Sequence, residues 1–163
     1  MTEIQIRLAM SSEYNQLATL DRIVYGQSAW TAANFRKAVD EQHAHVVVAL
    51  LKGTIVGQLT FAGDDPEIIP ILDIAVHPDH RRRGMAENMI RYLFDLCDRS
   101  LANSLTHRIG MVIRLPDCDA GQRLLWKMGF LDYPETDDDG QETGDTVMDV
   151  IREPSFIRER TRA

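Results

Sequence analysis

From Gly84 onward the apolar residues Met85, Ala86, Met89, Ile90, Leu93, Phe94 and Cys97 recur at helical spacing, with Glu87, Asn88, Arg91, Asp95 and Asp98 on the opposite face. An apolar strand pattern over residues 68–76 precedes this helix, and another over 109–115 follows it. Strand, amphipathic helix and strand in that order predict a parallel crossover, because the helix must bury its stripe on the sheet that both strands share. The fold class is therefore α/β or α+β.

The rest of the chain hangs on that unit. Ile4, Ile6 and Leu8 alternate with polar residues as a half-buried strand does, and Ser11 or Ser12 is placed to cap a helix carrying Leu17, Leu20, Ile23 and Val24. Thr31 is expected to cap a second helix, with Trp30 and Phe35 as its hydrophobic staple. Residues 45–51 and 54–61 around Lys52-Gly53 read as a tight hairpin. A further helix is expected from Asp117 or Asp119 to Met128, stopped by Gly129. Strands at 130–133 and 146–151 should form a last hairpin around a polar segment too rich in Gly, Asp and Glu to pack. Residues 1–153 thus read as one domain, and 154–163, with Arg158, Arg160 and Arg162, as a tail or a strap.

At 163 residues, 44% of them hydrophobic and 26% charged, the composition is that of an ordinary globular domain. A net charge of -7 argues against broad nucleic-acid binding, which needs clustered Lys and Arg. No run of about 18 apolar residues and no basic-then-apolar N-terminal stretch is present, so no membrane association and a cytoplasmic location are expected. Cys97 and Cys118 are too few and too isolated for a disulfide framework or a zinc site. His77 and His80 lie in the turn before the basic motif, where a structural or exposed role is favoured over a metal pair, and no metal is expected.

The chemistry concentrates at Arg81-Arg82-Arg83-Gly84-Met85-Ala86. Backbone amides at the start of a helix lack intrahelical acceptors, the helix dipole adds positive charge, and Gly84 lets a ligand approach the chain closely. With three arginines nearby, such a place suits a pyrophosphate, although taken alone the same residues also describe a surface turn with solvated charges. In its context, the run from Ile74 to Ala86 resembles the signature of the GNAT acetyltransferase superfamily, Arg or Gln, two residues, Gly, one residue, Gly or Ala, which Arg81, Gly84 and Ala86 match. The family's element order is the one read above, and the Gly129-Phe130 pair closes its last helix in the same way.

The resemblance implies a GNAT fold: a central mixed, mostly antiparallel sheet, with one parallel strand-helix-strand unit splayed to hold the cofactor, flanked by helices. It implies acetyl-CoA as cosubstrate, held by Ile74, Ala75, Val76, Arg81, Arg82, Arg83, Gly84, Met85 and Ala86, with the backbone of Ile74 and Val76 pairing with pantetheine. It also implies direct attack of a primary amine, of a small molecule or a protein, on the thioester, through an oxyanion that an amide near Ile74 stabilises. An alkyl amine is mostly protonated at neutral pH, so a base is needed; Glu67 and Asp73 are the candidates. Many relatives carry a tyrosine five residues before the Phe of the Gly-Phe pair to protonate the thiolate, where this chain has Leu125 beside Trp126. Relatives that acetylate ribosomal protein N-termini tend to carry a glutamate on the strand where this chain has Met111, Val112 and Ile113. Tyr133 is a poor substitute for the lost acid and is expected to pack, and Trp126 to lie in the core or beside the cofactor.

The acidic run 134–145, bearing Glu135, Asp137, Asp138, Asp139, Glu142 and Asp145 without a basic residue, reads as a solvated loop or as an attractor for a cationic acceptor such as a polyamine, aminoglycoside or basic peptide end. Two further readings stay open: an acyl-CoA-binding sensor or interaction domain without turnover, and an arginine-rich turn in an unrelated α/β protein. A homodimer is possible on apolar strand ends and the arginine-bearing tail.

Overall fold

Lys52 and Gly53 both take left-handed backbone angles, φ 51° and 80°, and between them the chain reverses from β2 (Ala44–Leu51) into β3 (Thr54–Ala62). Two positive φ values in a two-residue loop match the twist of the flanking strands, which is why this dipeptide makes the hairpin. The computed structural model describes residues 4–42, 44–63, 68–100, 107–113 and 119–152. Strand β1 (Ile4–Leu8) pairs antiparallel with β2, and β4 (Ile68–Val76) pairs antiparallel with β3 from Ile71 onward. The chain divides into two compact units, Met1–Asp64 with Ile71–Cys97, and Asp65–Pro70 with Asp98–Ala163, so β4 begins in the second unit and ends in the first.

In the first unit, α1 (Tyr14–Tyr25) and α2 (Ala32–Gln42) bury Leu17, Leu20 and Phe35 with Val46, Val48, Leu50 and Ile55 of the sheet. Thr31 caps α2 as expected: its hydroxyl accepts from Asn34 N–H at 3.2 Å, and the Trp30 and Phe35 rings meet edge to face at 5.3 Å. The entry to α1 differs from expectation. Neither Ser11 nor Ser12 caps it; a 3-10 turn, Ser11–Glu13, leads in, and the Glu13 carboxylate accepts from Met10 N–H at 2.8 Å while binding Arg7 through both oxygens. Glu13 thus closes the entry turn on the Met10 amide rather than capping an amide of α1, and its charge at the helix start is favourable.

Helix α3 (Met85–Ser100) is the one its spacing predicts, with Met85, Met89, Ile90, Leu93, Phe94 and Cys97 buried. Burial of such side chains is worth roughly 1.5–3 kcal/mol each, whereas the exposed Glu87–Arg91 pair one turn apart, with N···O 2.8 Å, adds only about 0.3–0.5 kcal/mol. Packing therefore holds α3. A Cβ on Gly57 would stand 3.2 Å from the Met89 methyl, so glycine lets helix and strand approach.

In the second unit, β7 (Glu142–Arg152) lies between β5 (His107–Ile113) and β6 (Leu131–Thr136), antiparallel to both. Ile68–Pro70 of β4 pair with Arg108–Gly110 of β5, and this is the parallel pair expected of the crossover. The strands pair in the order β1-β2-β3-β4-β5-β7-β6, a mixed and mostly antiparallel sheet. Helix α4 (Asp119–Lys127) ends at Gly129, φ 92°: Gly129 N–H donates to Trp126 C=O and Phe130 N–H to Leu125 C=O, with Leu125 and Phe130 both buried. Left-handed glycine, paired capping bonds and the apolar contact are the usual helix stop.

The ends of the acidic run pair as strand where a loop is expected, while its side chains stay largely exposed, as its polarity predicts. Pairing of β6 with β7 continues to Thr136↔Glu142, leaving a tight turn in which the Asp137 carboxylate accepts from Asp139 and Gln141 N–H. Side chains that point to solvent on alternate positions let charged residues occupy a ladder. The 154–163 tail lies outside the described residues. No helix among the described residues is long and apolar enough to cross a membrane.

Arg7, hydrogen-bonded to Glu13, holds that carboxyl below its ordinary range, with burial opposing. A lowered folded pKa means the contribution is present above the unfolded value, about 4.3, and is lost as pH falls through the folded value. Glu13→Gln is expected to lower stability at pH 7 by roughly 1–2 kcal/mol, with the gap to wild type closing in acid. Urea unfolding across pH measures this, and a gap that persists in acid counts against the ion pair.

Candidate active site

Between β4 and α3 the chain makes a 3-10 turn, Pro78–His80, and then two left-handed steps, Arg82 at φ 62° and Gly84 at φ 76°. Asn88 N–H, bonded to Gly84 C=O, is the first to find a helical acceptor. The N–H groups of Arg82, Arg83, Gly84, Met85 and Ala86 have no acceptor among the described residues. Several free amides at the positive end of a sixteen-residue helix form an anion cradle, and the donor set fits a phosphorylated group. A Cβ on Gly84 would meet nothing within 4 Å. Glycine is favoured there by its positive φ, and any side chain would stand in the open space before the loop.

The arginines do not act alike. Arg81 Nε donates to Val76 C=O at 3.1 Å, tying the loop back to the strand, whereas Arg83 lines a cavity of about 660 Å³ with Lys52, Thr54 and His80. The His77 ring is used within the turn, its Nδ1 accepting from Asp79 N–H at 3.2 Å.

On β4, His77 N–H donates to Val56 C=O and Gly57 faces Val76, so Ala75 is bonded to Gln58. Bonded and non-bonded pairs alternate in an antiparallel ladder, and the polar groups of Ile74 and Val76 therefore point away from β3. Recorded pairing with β5 stops at Pro70, which has no N–H to give a ladder. The outward carbonyls are met by side chains: Val76 by Arg81, and Ile74 by the Tyr25 hydroxyl at 3.1 Å.

Asp73 shares a face of the sheet with Gln58 and Thr60, the face covered by α1. The Tyr25 hydroxyl donates to Asp73 Oδ1 at 2.5 Å; Gln58 Nε2 donates to Asp21 Oδ1 at 2.6 Å and more distantly, at 3.5 Å, to Asp73 Oδ2. Trp30 N–H completes Asp21 at 2.6 Å. Burial pushes both carboxyls up from the ordinary aspartate range; for Asp73 the Tyr25 hydroxyl opposes this and the neighbouring Asp21 charge adds to it. A desolvated carboxyl with a raised pKa is a better proton acceptor at neutral pH than a solvated one.

The residues that sequence reasoning missed here are Tyr25, Asp21 and Gln58. Their signal was present: Asp21 and Tyr25 stand one turn apart on α1, and Gln58 interrupts an otherwise apolar buried strand. A buried polar side chain in such a strand demands partners. Of the other expected groups, Glu67 lies outside the described residues, as do the side chains of Met111, Val112 and Ile113. Trp126 is not in the core; it is 47% exposed and donates to Asp132 at 2.8 Å. Tyr133 is exposed rather than packed, and its hydroxyl bonds to Asp149, which also pairs with Arg108. Leu125 is buried at 1% exposure.

The model of the Acetyltransferase (GNAT) family matches residues 10–130. The chain belongs to the GNAT acetyltransferase family. No curated protein matches the sequence. Among solved structures, the ribosomal-protein-S18-alanine N-acetyltransferase of Escherichia coli superposes with a TM-score of 0.71 at 14% identity, covering 94% of this chain and 95% of that one. The PaiA N-acetyltransferase of Thermoplasma acidophilum, in complex with coenzyme A, gives 0.70 at 13%, over 90% of this chain and 98% of that one. Aminoglycoside 6'-acetyltransferase type Ii gives 0.70 at 16%, over 90% and 96%. At these identities the likeness shows the GNAT fold. As a member of this family the chain is an acyltransferase, with acetyl-CoA as the cosubstrate.

Proposed function

We propose that this GNAT enzyme transfers the acetyl group of acetyl-CoA directly to a primary amine of a small molecule or protein, with Asp73 as general base. The amides from Arg82 to Ala86 hold the pyrophosphate, with the charges of Arg82 and Arg83 beside them and Arg81 bracing the loop on Val76. The outward polar groups of Ile74 and Val76 pair with pantetheine, while Ala75, bonded to β3, keeps the strand in place between them.

Asp73 carries the reading: a partly buried carboxyl, raised by desolvation, adjacent in sequence to the residue whose backbone faces the thioester. The attacking nitrogen forms the C–N bond and gives its proton to Asp73, and the C–S bond breaks. A cationic acceptor is the class favoured by the acidic β6–β7 hairpin.

Gly84→Val places a branched side chain at φ 76° in front of the amides. It should weaken acetyl-CoA binding at least 10-fold while costing only about 1–2 kcal/mol of stability. Calorimetric titration and thermal unfolding of the same sample measure both, and unchanged affinity would sink the cradle.

Asp73 works as a base only above its pKa, which burial raises, so kcat/KM should fall with acid through a limb lying above the ordinary carboxylate range. Asp73→Asn should lower kcat on the order of 10²-fold and remove that limb. Thiol release with a panel of polyamines, aminoglycosides and peptides bearing a free N-terminus reads this out. An unchanged limb eliminates Asp73, and Glu67→Gln in the same assay tests the other carboxylate.

A further inference from the structure

On α4, the position at which many relatives carry the acid that protonates the thiolate has no proton donor in this chain. Leu125, at the position of the usual tyrosine, is buried in the helix stop with its carbonyl bonded to Phe130 N–H, and a leucine has no proton to give. The Tyr133 hydroxyl is engaged by Asp149. On the α1 side of the sheet the position is different. Tyr25 is the last residue of α1, held there by a left-handed Gly26, φ 60°, and its ring is 40% exposed. Its hydroxyl touches two groups of the first unit at once: the Asp73 carboxylate at 2.5 Å and the Ile74 carbonyl at 3.1 Å.

We propose that Tyr25 is the general acid of the reaction, protonating the coenzyme A thiolate and taking its proton back from Asp73, so that a residue of α1 replaces the tyrosine absent from α4. This rests on the acetyl-transfer reading above, with the thioester at Ile74. The steps balance. Asp73 takes one proton from the attacking nitrogen as the C–N bond forms; the C–S bond breaks with its electron pair on sulfur; the Tyr25 phenol gives its proton to that sulfur. Asp73 then passes its proton to the phenolate along the hydrogen bond that already joins them. The net transfer is one proton from amine to thiol, and both side chains return to their starting forms. Asp21 and Gln58 act as positioning residues, because Gln58 Nε2 spans both carboxylates and fixes the face that Asp73 presents to Tyr25.

Tyr25→Phe keeps the ring and removes only the hydroxyl. It should lower kcat on the order of 10²-fold, the lower end for a positioned acid, while acetyl-CoA affinity by calorimetry stays within about threefold. The double variant Tyr25→Phe/Asp73→Asn should be no slower than the slower single variant, since the two residues pass one proton between them and their losses do not add. A Tyr25→Phe enzyme that keeps wild-type kcat overturns the proposal, as does a loss of acetyl-CoA affinity matching the loss of rate, which would make Tyr25 a structural contact. Multiplying losses in the double variant overturn the shared relay. If wild type releases no thiol with spermidine, an aminoglycoside or a peptide amine, the transfer reading itself has failed and the relay falls with it.

Discussion

Past Pro70, β4 has a strand on one edge only among the described residues, and its backbone must still be satisfied. An unpaired polar group away from water costs as much as a lost hydrogen bond. The chain answers with side chains in place of a neighbouring strand: Arg81 on the Val76 carbonyl and Tyr25 on the Ile74 carbonyl. Side-chain partners are exchangeable in a way a β-ladder is not. They satisfy the outer carbonyls of β4 without a ladder, which leaves its outward N–H groups for the pantetheine proposed above.

The same principle governs the loop between β4 and α3. Left-handed backbone at a non-glycine residue is disfavoured, yet Arg82 holds φ 62° two residues before Gly84 does the same. The strain persists because the loop is fixed at both ends. Behind it Arg81 is tied to β4, and ahead of it Met85 and Met89 begin the buried stripe of α3. With several kcal/mol of apolar burial anchoring the helix, a strained residue is affordable, and the amides it turns outward remain free of internal acceptors. Stability on one side of the loop and free donors on the other are two consequences of the same packing.

Much of this was legible in the residues. The Lys52-Gly53 hairpin, the Thr31 cap with its Trp30–Phe35 staple, the α3 stripe and the Gly129 stop each depend on neighbours within a few positions, and each stands where the pattern put it. What could not be read depends on residues far apart. No serine caps α1; instead Glu13, held by Arg7 on β1, closes the entry turn on Met10 N–H. The ends of the run 134–145, polar enough to be a loop, pair with each other as the last residues of β6 and the first of β7, around a turn at 137–141. Asp73 was visible as a carboxylate, but its face was not; the register Thr60↔Asp73 and Gln58↔Ala75 decides that it meets α1. Tyr25 carried no motif, and only β4, nearly fifty residues later in the chain, brings its hydroxyl partners.

The leucine on α4 and the tyrosine on α1 each answer to the packing of their own unit. In the second unit, Leu125 is committed to the helix stop: it supplies the carbonyl for Phe130 and is itself fully buried, a place for which a leucine is better suited than a phenol. In the first unit, a phenol lies against Asp73, the carboxylate proposed above as the base. A donor and an acceptor joined by one hydrogen bond exchange a proton with little reorganisation, because the charge that forms on one is compensated at the other. An acid on α4 would instead have to be recharged from solvent in each cycle. Asp21, through Gln58, keeps a second negative charge close to Asp73 and thereby raises its hold on the proton, so the pair returns to its starting state only when that proton has somewhere to go. In the relay proposed above, the Tyr25 phenolate left once the phenol has protonated the thiolate is the acceptor within reach.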